Sequence, residues 1–201
     1  MNFKKIVLGL GLLSFVLLQS CNTKQRTLKI YYNEDSTERK IPDFEFINQD
    51  GKAVTQKDFE NKIYVADFFF TTCPTICPIM KKEMLRVHER FKVNPDIMIL
   101  SHSIDPRHDS VEVLKEYAAR LGVKSDKWYF VTGDRKKIYE IGEKSYMVTA
   151  QEDSTQQGGY LHSGAFILVD RKRRVRGLYD GTKEKDVNKL MEDIEILLDE
   201  K

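Results

Sequence analysis

The fold is decided by residues 63–78, IYVADFFFTTCPTICP, in which an apolar run meets two cysteines. The run at 63–70 is apolar at all but one position, which predicts a buried strand. Cys73 and Cys77 follow this strand directly, and residues 80–91 are predicted to form a helix. The two thiols are therefore expected where a strand passes into a helix.

Thiols at a strand-to-helix junction suit two kinds of chemistry. The amides and the dipole at the start of a helix favour a thiolate over a thiol. A thiolate is the nucleophile of disulfide exchange, and it is also a soft ligand for Cu(I) or Zn(II). The chain is therefore expected to move electrons between thiols, to carry a soft metal, or to do both. A purely structural disulfide is the alternative, which the proline after each cysteine disfavours.

Length and composition are those of an ordinary globular protein. The chain has 201 residues, of which 41% are hydrophobic and 32% charged, which suits one domain with a single core. The net charge is only +2 and the basic residues are spread along the chain, so nothing predicts binding to nucleic acid. One dense basic cluster, residues 171–174, is expected to be a solvated hairpin turn, with a phosphate or headgroup contact as the alternative.

The N-terminus has the pattern of a bacterial lipoprotein signal. Lys4 and Lys5 precede an apolar stretch at 6–18, which is short for a membrane span. This stretch ends in Leu-Gln-Ser-Cys, which predicts cleavage after residues 1–20 and attachment of lipid to the sulfur of Cys21. An ordinary signal peptide or an uncleaved anchor is the alternative.

Lipidation of Cys21 would divide the three cysteines into one anchor and one working pair. We then expect residues 21–40, which are polar, to be a tether, and residues 41–201 to be the folded domain. The mature protein would be a bacterial lipoprotein held at a membrane outside the cytoplasm. A lone disulfide can persist in such a compartment.

The rest of the chain alternates predicted strands and helices. Residues 41–46 alternate in hydrophobicity and lead into a hairpin turn at 48–51, and a short strand is expected at 28–32. Further strands are predicted at 97–103, 128–131, 164–170 and 175–179, and helices at 111–121, from 134 to about 144, and from 182 onward. This order predicts an α/β fold with a mixed central sheet flanked by helices and an N-terminal hairpin extension.

Several motifs together resemble the Sco family, also called SenC or PrrC, of copper chaperones for cytochrome c oxidase assembly. They are residues 70–78 around the thiols, residues 103–110, His162 ahead of a strand, and residues 179–182. Two cysteines separated by three residues, followed about 85 residues later by a lone histidine, form a specific combination. The resemblance runs from about residue 41 to the C-terminus and implies a thioredoxin-like fold.

The resemblance implies one copper ion held by Cys73, Cys77 and His162. Two thiolates and an imidazole accept Cu(I) and, with a further weak ligand, Cu(II). Thioredoxins themselves have two residues between the cysteines and a proline ahead of the late strand, whereas this chain has three and no proline in that stretch. For His162 the alternative is a surface loop histidine. The implied partner is the copper-bearing subunit of cytochrome c oxidase or another exported copper protein.

Asp67 is the one charged residue in the predicted strand at 63–70. It stands six positions before Cys73, where thioredoxins carry a buried carboxylate near their active thiols. A carboxylate buried beside a thiol can exchange a proton with it, so Asp67 is a candidate proton acceptor. The alternative is a hydrogen-bonded structural aspartate.

The remaining candidate ligands are expected to be structural or surface residues. They comprise three histidines, two methionines near the thiols whose thioethers could bind Cu(I), and an aspartate that braces the loop after the strand at 97–103: His88, His102, His108, Met80, Met84 and Asp105.

Two functions follow from these residues, and they do not exclude each other. The first is a membrane-tethered copper chaperone that delivers copper to the dinuclear copper site of cytochrome c oxidase. The second is a thiol–disulfide oxidoreductase that reduces the cysteines of an oxidase subunit or another exported protein. Both use the same pair, because a dithiol must be reduced before it binds metal. A peroxidase is disfavoured because the Pro-x3-Thr-x2-Cys arrangement of peroxiredoxins is absent.

Overall fold

A computed structural model describes residues 27–155 and 158–200, apart from the side chains of Leu161 and His162. The predicted lipidation site, Cys21, and the signal sequence before it lie outside these residues. Across the described ranges, no helix has the length and apolar character needed to cross a bilayer.

Nine strands occur in the described chain. In chain order they are β1 (Glu45–Asn48), β2 (Ala53–Thr55), β3 (Ile63–Phe69), β4 (Ile97–Ser103), β5 (Trp128–Thr132), β6 (Ala150–Glu152), β7 (Tyr160–His162), β8 (Ala165–Val169) and β9 (Val175–Asp180). Seven of them form one mixed sheet in the order β2-β1-β5-β4-β3-β8-β9, in which β3, β4 and β5 are parallel. Strands β6 and β7 form a separate antiparallel hairpin.

Helices cover both faces of the central strands, and every residue of β3 and β4 is buried. Phe69 on one face of β3 stacks on Tyr117 of the second helix, while Phe68 on the other face contacts Tyr146. Tyr146 belongs to a π-helical turn that follows the third helix. Within the described ranges the α-helices are α1 (Cys77–Phe91), α2 (Val111–Leu121), α3 (Arg135–Ile141) and α4 (Glu184–Asp199).

Most of the predicted elements are confirmed. Strand β4 and helix α2 have the predicted bounds, and α2 begins after Ser110, whose hydroxyl accepts from the amide of Val113. Helix α2 ends at Gly122, whose φ of 69° is in the left-handed region that favours glycine. The basic cluster at 171–174 forms the turn between β8 and β9, as predicted, but of the four residues only Lys172 is exposed, and Arg174 is ion-paired with Asp170 and Glu38.

Three local predictions differ from the structure. Helix α1 begins at Cys77 rather than at residue 80, because a proline such as Pro78 is tolerated in the first turn of a helix. The β6–β7 hairpin was not predicted. The segment at 28–32 forms no strand, and Tyr32 makes only an isolated bridge to Glu38.

The polar segment before residue 41 packs on the domain from Leu28 onward. The amide of Tyr31 donates to the carbonyl of Val175 in β9 (3.3 Å). The buried guanidinium of Arg176 donates to the carbonyl of Leu28 (2.9 Å) and to both carboxylate oxygens of Glu200 near the C-terminus. The two ends of the described chain therefore meet at β9, and the domain boundary at residue 41 stays a prediction.

Candidate metal and thiol site

The two cysteines lie at the carboxyl end of β3, in the loop that leads into α1. Cys77 is the first residue of α1, and the amide of Cys73 donates to the carbonyl of Phe70 (3.2 Å) in the preceding turn. Both cysteines are buried, with 7% of Cys73 and 2% of Cys77 exposed, and no disulfide joins them. The structure therefore contains the two predicted working thiols in reduced form.

The two thiols interact with each other. A hydrogen bond with Cys73 is the largest cause that raises the pKa of Cys77, and burial raises it further. A backbone hydrogen bond with Phe70 and the charge of Lys81 act in the opposite direction. The sequence predicted a thiolate at this helix start, but Cys77 favours the neutral thiol, because its desolvated sulfur lies beside that of Cys73. A metal ion that replaces the proton would reverse this preference, since thiolates are the metal-binding form.

Asp67 is ion-paired with a lysine that sequence analysis did not single out. Lys81, one helical turn after Cys77, places its ammonium 2.5 Å from the Asp67 carboxylate, and both side chains are almost fully buried. This ammonium also donates to Ser101 (3.2 Å), whose hydroxyl donates to the other carboxylate oxygen and accepts from Trp128 (2.9 Å). Asp67 therefore has buried partners of its own, and its role as a proton acceptor stays a prediction.

Lys81 lies on the buried side of α1. A lysine on an amphipathic helix is usually exposed, which is why the sequence did not point to this one. The signal that could have found it is its position in the apolar stripe of the helix, with Cys77, Met80, Met84, Val87 and Phe91. The Lys81 ammonium also lies 4.2 Å from the ring centroid of Phe69, a cation–π contact that helps a buried cation to persist.

A second buried carboxylate, Asp109, braces the loop that carries the thiols. Its oxygens accept from the amide and the hydroxyl of Thr71 (3.1 and 2.5 Å) and from the hydroxyl of Ser103 (2.5 Å). Burial raises the pKa of Asp109, and these hydrogen bonds act against that rise. Its neighbour Ser110, rather than Asp109, caps α2. Asp109 instead connects the end of β4 to the thiol loop.

The β6–β7 hairpin, which includes His162, lies beside the thiol loop. The rings of Tyr160 and Phe70 lie 5.0 Å apart, and Gly158 approaches so closely that a Cβ there would lie 3.2 Å from Cδ of Pro74. After the strand, a Cβ on Gly164 would lie 3.7 Å from Ile76. Residues on both sides of His162 therefore lie close to residues that flank the two cysteines.

The predicted ligand set of Cys73, Cys77 and His162 stays a prediction. Among the side chains that the structure describes, no three or more histidine, cysteine, aspartate and glutamate residues are grouped to hold a metal. The side chain of His162 is not among them. The structure places β7 beside the loop that holds the thiols. His162 lies on this strand and pairs with Ala150 of β6.

The other candidate ligands occupy different environments. Met80 and Met84 are fully buried in the core. His102 is also fully buried and stacks on Phe68, with ring centroids 4.6 Å apart. His88 is partly buried, and its ring lies 5.7 Å from that of Trp128. The two remaining residues lie in the loop after β4: His108 is exposed, and the backbone carbonyl of Asp105 accepts from the amides at 108 and 109.

Comparison with known proteins shows what this chain resembles. The profile of the SCO1/SenC family matches residues 33–199. The SCO1 protein homolog of Bacillus subtilis is 31% identical over 194 residues, which cover 94% of this chain and 96% of that relative.

Two solved structures are also similar. BsSco, a member of the Sco family of cytochrome c oxidase assembly proteins, matches with a TM-score of 0.73 and 29% identity, over 89% of this chain and 99% of that structure. ScoI of Arabidopsis thaliana with copper bound matches with a TM-score of 0.65 and 26% identity, over 80% of this chain and 98% of that structure. These matches confirm the predicted thioredoxin-like α/β fold.

Proposed function

This chain belongs to the SCO1/SenC family, and from that premise we propose that it is a copper chaperone of cytochrome c oxidase assembly. Cys73, Cys77 and His162 bind the copper, which is the cargo, and the protein delivers it to the dinuclear copper site of the oxidase. The copper bound to the Arabidopsis thaliana relative and the membership of BsSco in a family of oxidase assembly proteins support these two parts of the proposal.

The observation that carries the proposal is the buried, interacting pair of Cys73 and Cys77. A thiol in the loop after β3 and a thiol at the first residue of α1 present two soft donors to one ion, and soft donors select Cu(I). The hydrogen bond with Cys73 and burial raise the pKa of Cys77 and so disfavour a free thiolate, whereas a bound copper ion would offset the negative charge. The same environment that favours the neutral thiol without a metal therefore permits the metal complex.

The placement of β7 supports His162 as the third ligand. Alternate residues of a strand share one side of it, and Tyr160, two positions before His162, contacts Phe70 at the start of the thiol loop. We therefore assign position 162 to the side of β7 that faces the thiols. An imidazole from a separate segment would make copper binding depend on the folded chain.

A thiol–disulfide oxidoreductase is the second candidate function, and the buried pair of Asp67 and Lys81 favours it. In that reaction a thiolate of the pair attacks a partner disulfide, and the second cysteine resolves the mixed disulfide. The partner gains two electrons and two protons, while Cys73 and Cys77 become a disulfide. Asp67 would accept a proton, and the Lys81 charge would stabilise the thiolate of Cys77. The substrate would be the cysteines of an oxidase subunit or of another exported protein.

We place the protein outside the cytoplasm of a bacterium, tethered to a membrane by lipid on Cys21. The support is the signal pattern at the N-terminus: two lysines, an apolar stretch of limited length, and Leu-Gln-Ser ahead of the cysteine. A site outside the cytoplasm suits a working pair that alternates between dithiol and disulfide.

The test of the proposed function is copper binding before and after oxidation. The reduced full chain should bind about one copper per chain. Protein oxidised to the Cys73–Cys77 disulfide should bind none, because a disulfide sulfur is not an anionic ligand. The measurement is the metal content after removal of loosely held copper with a chelator. A Cys21→Ser variant is the control and should bind as much as the unaltered chain. Equal copper uptake by the oxidised form would overturn the proposal.

A further inference from the structure

The β6–β7 hairpin does not belong to the central sheet of the described chain. Its strands have only three residues each, Ala150–Glu152 and Tyr160–His162, and they pair with each other alone. An isolated two-stranded hairpin is marginally stable in water. The position of the hairpin beside the thiol loop must therefore depend on side-chain contacts with the rest of the domain.

Tyr160 makes the contact between β7 and the thiol loop. Its half-buried ring packs on Phe70, three residues before Cys73, with centroids 5.0 Å apart. Its hydroxyl lies near Arg107 and Asp105, in the loop that follows β4: burial raises the pKa of Tyr160, Arg107 lowers it, and Asp105 raises it. One side chain thus links the strand of His162 to two loops at the carboxyl edge of the sheet.

Arg107 binds β6 and lies close to β7. Its guanidinium donates to the carboxylate of Glu152 on β6 and lies near the Tyr160 hydroxyl on β7. The same carboxylate oxygen accepts from Arg135 at the start of α3. Glu152 is therefore held between two cations from different parts of the domain, which anchors the hairpin to the rest of the domain.

Gly158 shows how closely the hairpin approaches the loop. Its φ is 94°, in the left-handed region, and a Cβ at this position would lie 3.0 Å from the Phe70 ring and 3.2 Å from Cδ of Pro74. Small displacements of the hairpin would therefore change the separation between β7 and the cysteines directly.

We propose that Tyr160 and Arg107 are positioning residues that hold the β6–β7 hairpin, and with it His162, at the distance from Cys73 and Cys77 that copper requires. This inference rests on the proposed copper site. Neither residue touches the metal; each acts through the hairpin. Their contribution to the stability of the whole domain is small, because Arg107 and Glu152 are exposed and exposed ion pairs add little.

The test compares Tyr160→Ala, Tyr160→Phe and Arg107→Gln in the reduced full chain. Tyr160→Ala removes the ring contact and should weaken the binding of Cu(II) about two- to tenfold, the size expected for one aromatic pair. It should also shift the Cu(II) absorption bands, because the imidazole is displaced. Tyr160→Phe keeps the aromatic ring and should lose less affinity for Cu(II) than Tyr160→Ala. Tyr32→Ala is the matched control, since that tyrosine is exposed on the N-terminal segment.

A double-mutant cycle with His162→Ala tests whether Tyr160 and Arg107 affect copper binding through His162. In the His162→Ala background, Tyr160→Ala and Arg107→Gln should weaken copper binding no further, because the ligand that they position is gone. Equal losses in both backgrounds, or no loss in the unaltered chain, would overturn the inference and leave the copper site standing. If His162→Ala alone left copper affinity unchanged, the proposed ligand set would fail, and this inference with it.

Discussion

The imidazole of His162 separates the two candidate functions. A dithiol redox centre needs both sulfurs but no nitrogen ligand, whereas the proposed copper site loses one of its three donors without it. His162→Ala should therefore weaken copper binding by orders of magnitude and change the Cu(II) spectrum, while the Cys73–Cys77 disulfide still forms and is reduced. Chelator competition and a thiol assay on the same sample measure both properties.

His108→Ala is the control for this substitution, because His108 is an exposed histidine in a different loop. It should leave the copper affinity unchanged. In cells, a copper carrier with His162→Ala should fail to support oxidase assembly, whereas a thiol reductase with the same change should still function. Full oxidase activity in such cells would favour the oxidoreductase.

Asp67 and Lys81 form a charge pair whose halves can be removed one at a time. Asp67→Asn leaves a buried ammonium without its counter-charge, which should lower the free energy of unfolding by about 3–5 kcal/mol. Removing the cation as well, in Asp67→Asn with Lys81→Met, should restore most of that loss. Urea unfolding measures the stability, and exchange with a small disulfide near neutral pH measures the reactivity of the thiols.

The reactivity of the double variant distinguishes two roles for Asp67. If Asp67 accepts a proton from a thiol, the double variant exchanges more slowly than Lys81→Met alone, although its stability has recovered. If Asp67 is only structural, the double variant exchanges no more slowly than Lys81→Met alone, which lacks the same cation. Copper stoichiometry should be unchanged in both variants, since neither side chain is a proposed ligand.

At the scale of single residues, the sequence revealed polar groups that interrupt a regular pattern. Asp67 stood out because it is charged within an apolar strand, and the thiols stood out by their spacing. Lys81 and Asp109 did not, because a lysine on a helix and an aspartate in a loop are ordinary until the fold shows that both are buried. Burial is a property of tertiary packing, and no local pattern specified it for these two residues.

At the scale of elements, Asp109 connects the end of β4 to the thiol loop. Asp109→Ala removes the acceptor of three hydrogen bonds, one from the buried Ser103 hydroxyl and two from the part-buried Thr71. The expected loss is about 2–4 kcal/mol of unfolding free energy, measured in urea. Ser110→Ala, which removes only the helix cap, should cost about 1 kcal/mol. A loss for Asp109→Ala no greater than for Ser110→Ala would contradict this bracing role.

Elements with a strong periodic signal were predictable, and short ones were not. The seven-residue apolar strand β4 and the capped helix α2 match their predictions, because hydrophobic pattern and capping residues agree there. The three-residue strands β6 and β7 lie in a polar, glycine-containing segment without periodicity. Their place beside the thiols is set by side chains from other loops, such as Arg107, and so could not be predicted from local sequence.

At the scale of the whole molecule, His102 makes stability depend on pH. Burial lowers its pKa to about 4, against about 6.5 in an unfolded chain. Above pH 6.5 the ring is neutral in both states. As the pH falls from 6.5 to 4, the unfolded chain binds a proton that the folded chain does not, so this residue should lower the unfolding free energy by up to about 3 kcal/mol. Urea unfolding at several pH values measures the slope.

Replacement of the His102 imidazole by a ring that does not titrate isolates its contribution to the pH dependence of the unfolding free energy. His102→Phe keeps an aromatic side chain against Phe68 and should flatten this part of the pH dependence. His108→Gln, which removes an exposed histidine, should leave the slope as it was. A slope unchanged in His102→Phe would show that other groups cause the loss of stability in acid.

Arg176 contacts Leu28 and Glu200, and this contact sets the point at which the N-terminal tether would join the domain. Strands β3 and β9 are both antiparallel to β8, so they run in the same direction. Arg176, near the start of β9, therefore lies at the opposite end of the strands from the thiols, which follow the carboxyl end of β3. If lipid is attached to Cys21, as proposed, the chain segment between Cys21 and Leu28 spans at most about 25 Å. The thiols then lie at the end of the domain away from the tether, and the encounter becomes a two-dimensional search within the reach of the tether from the bilayer.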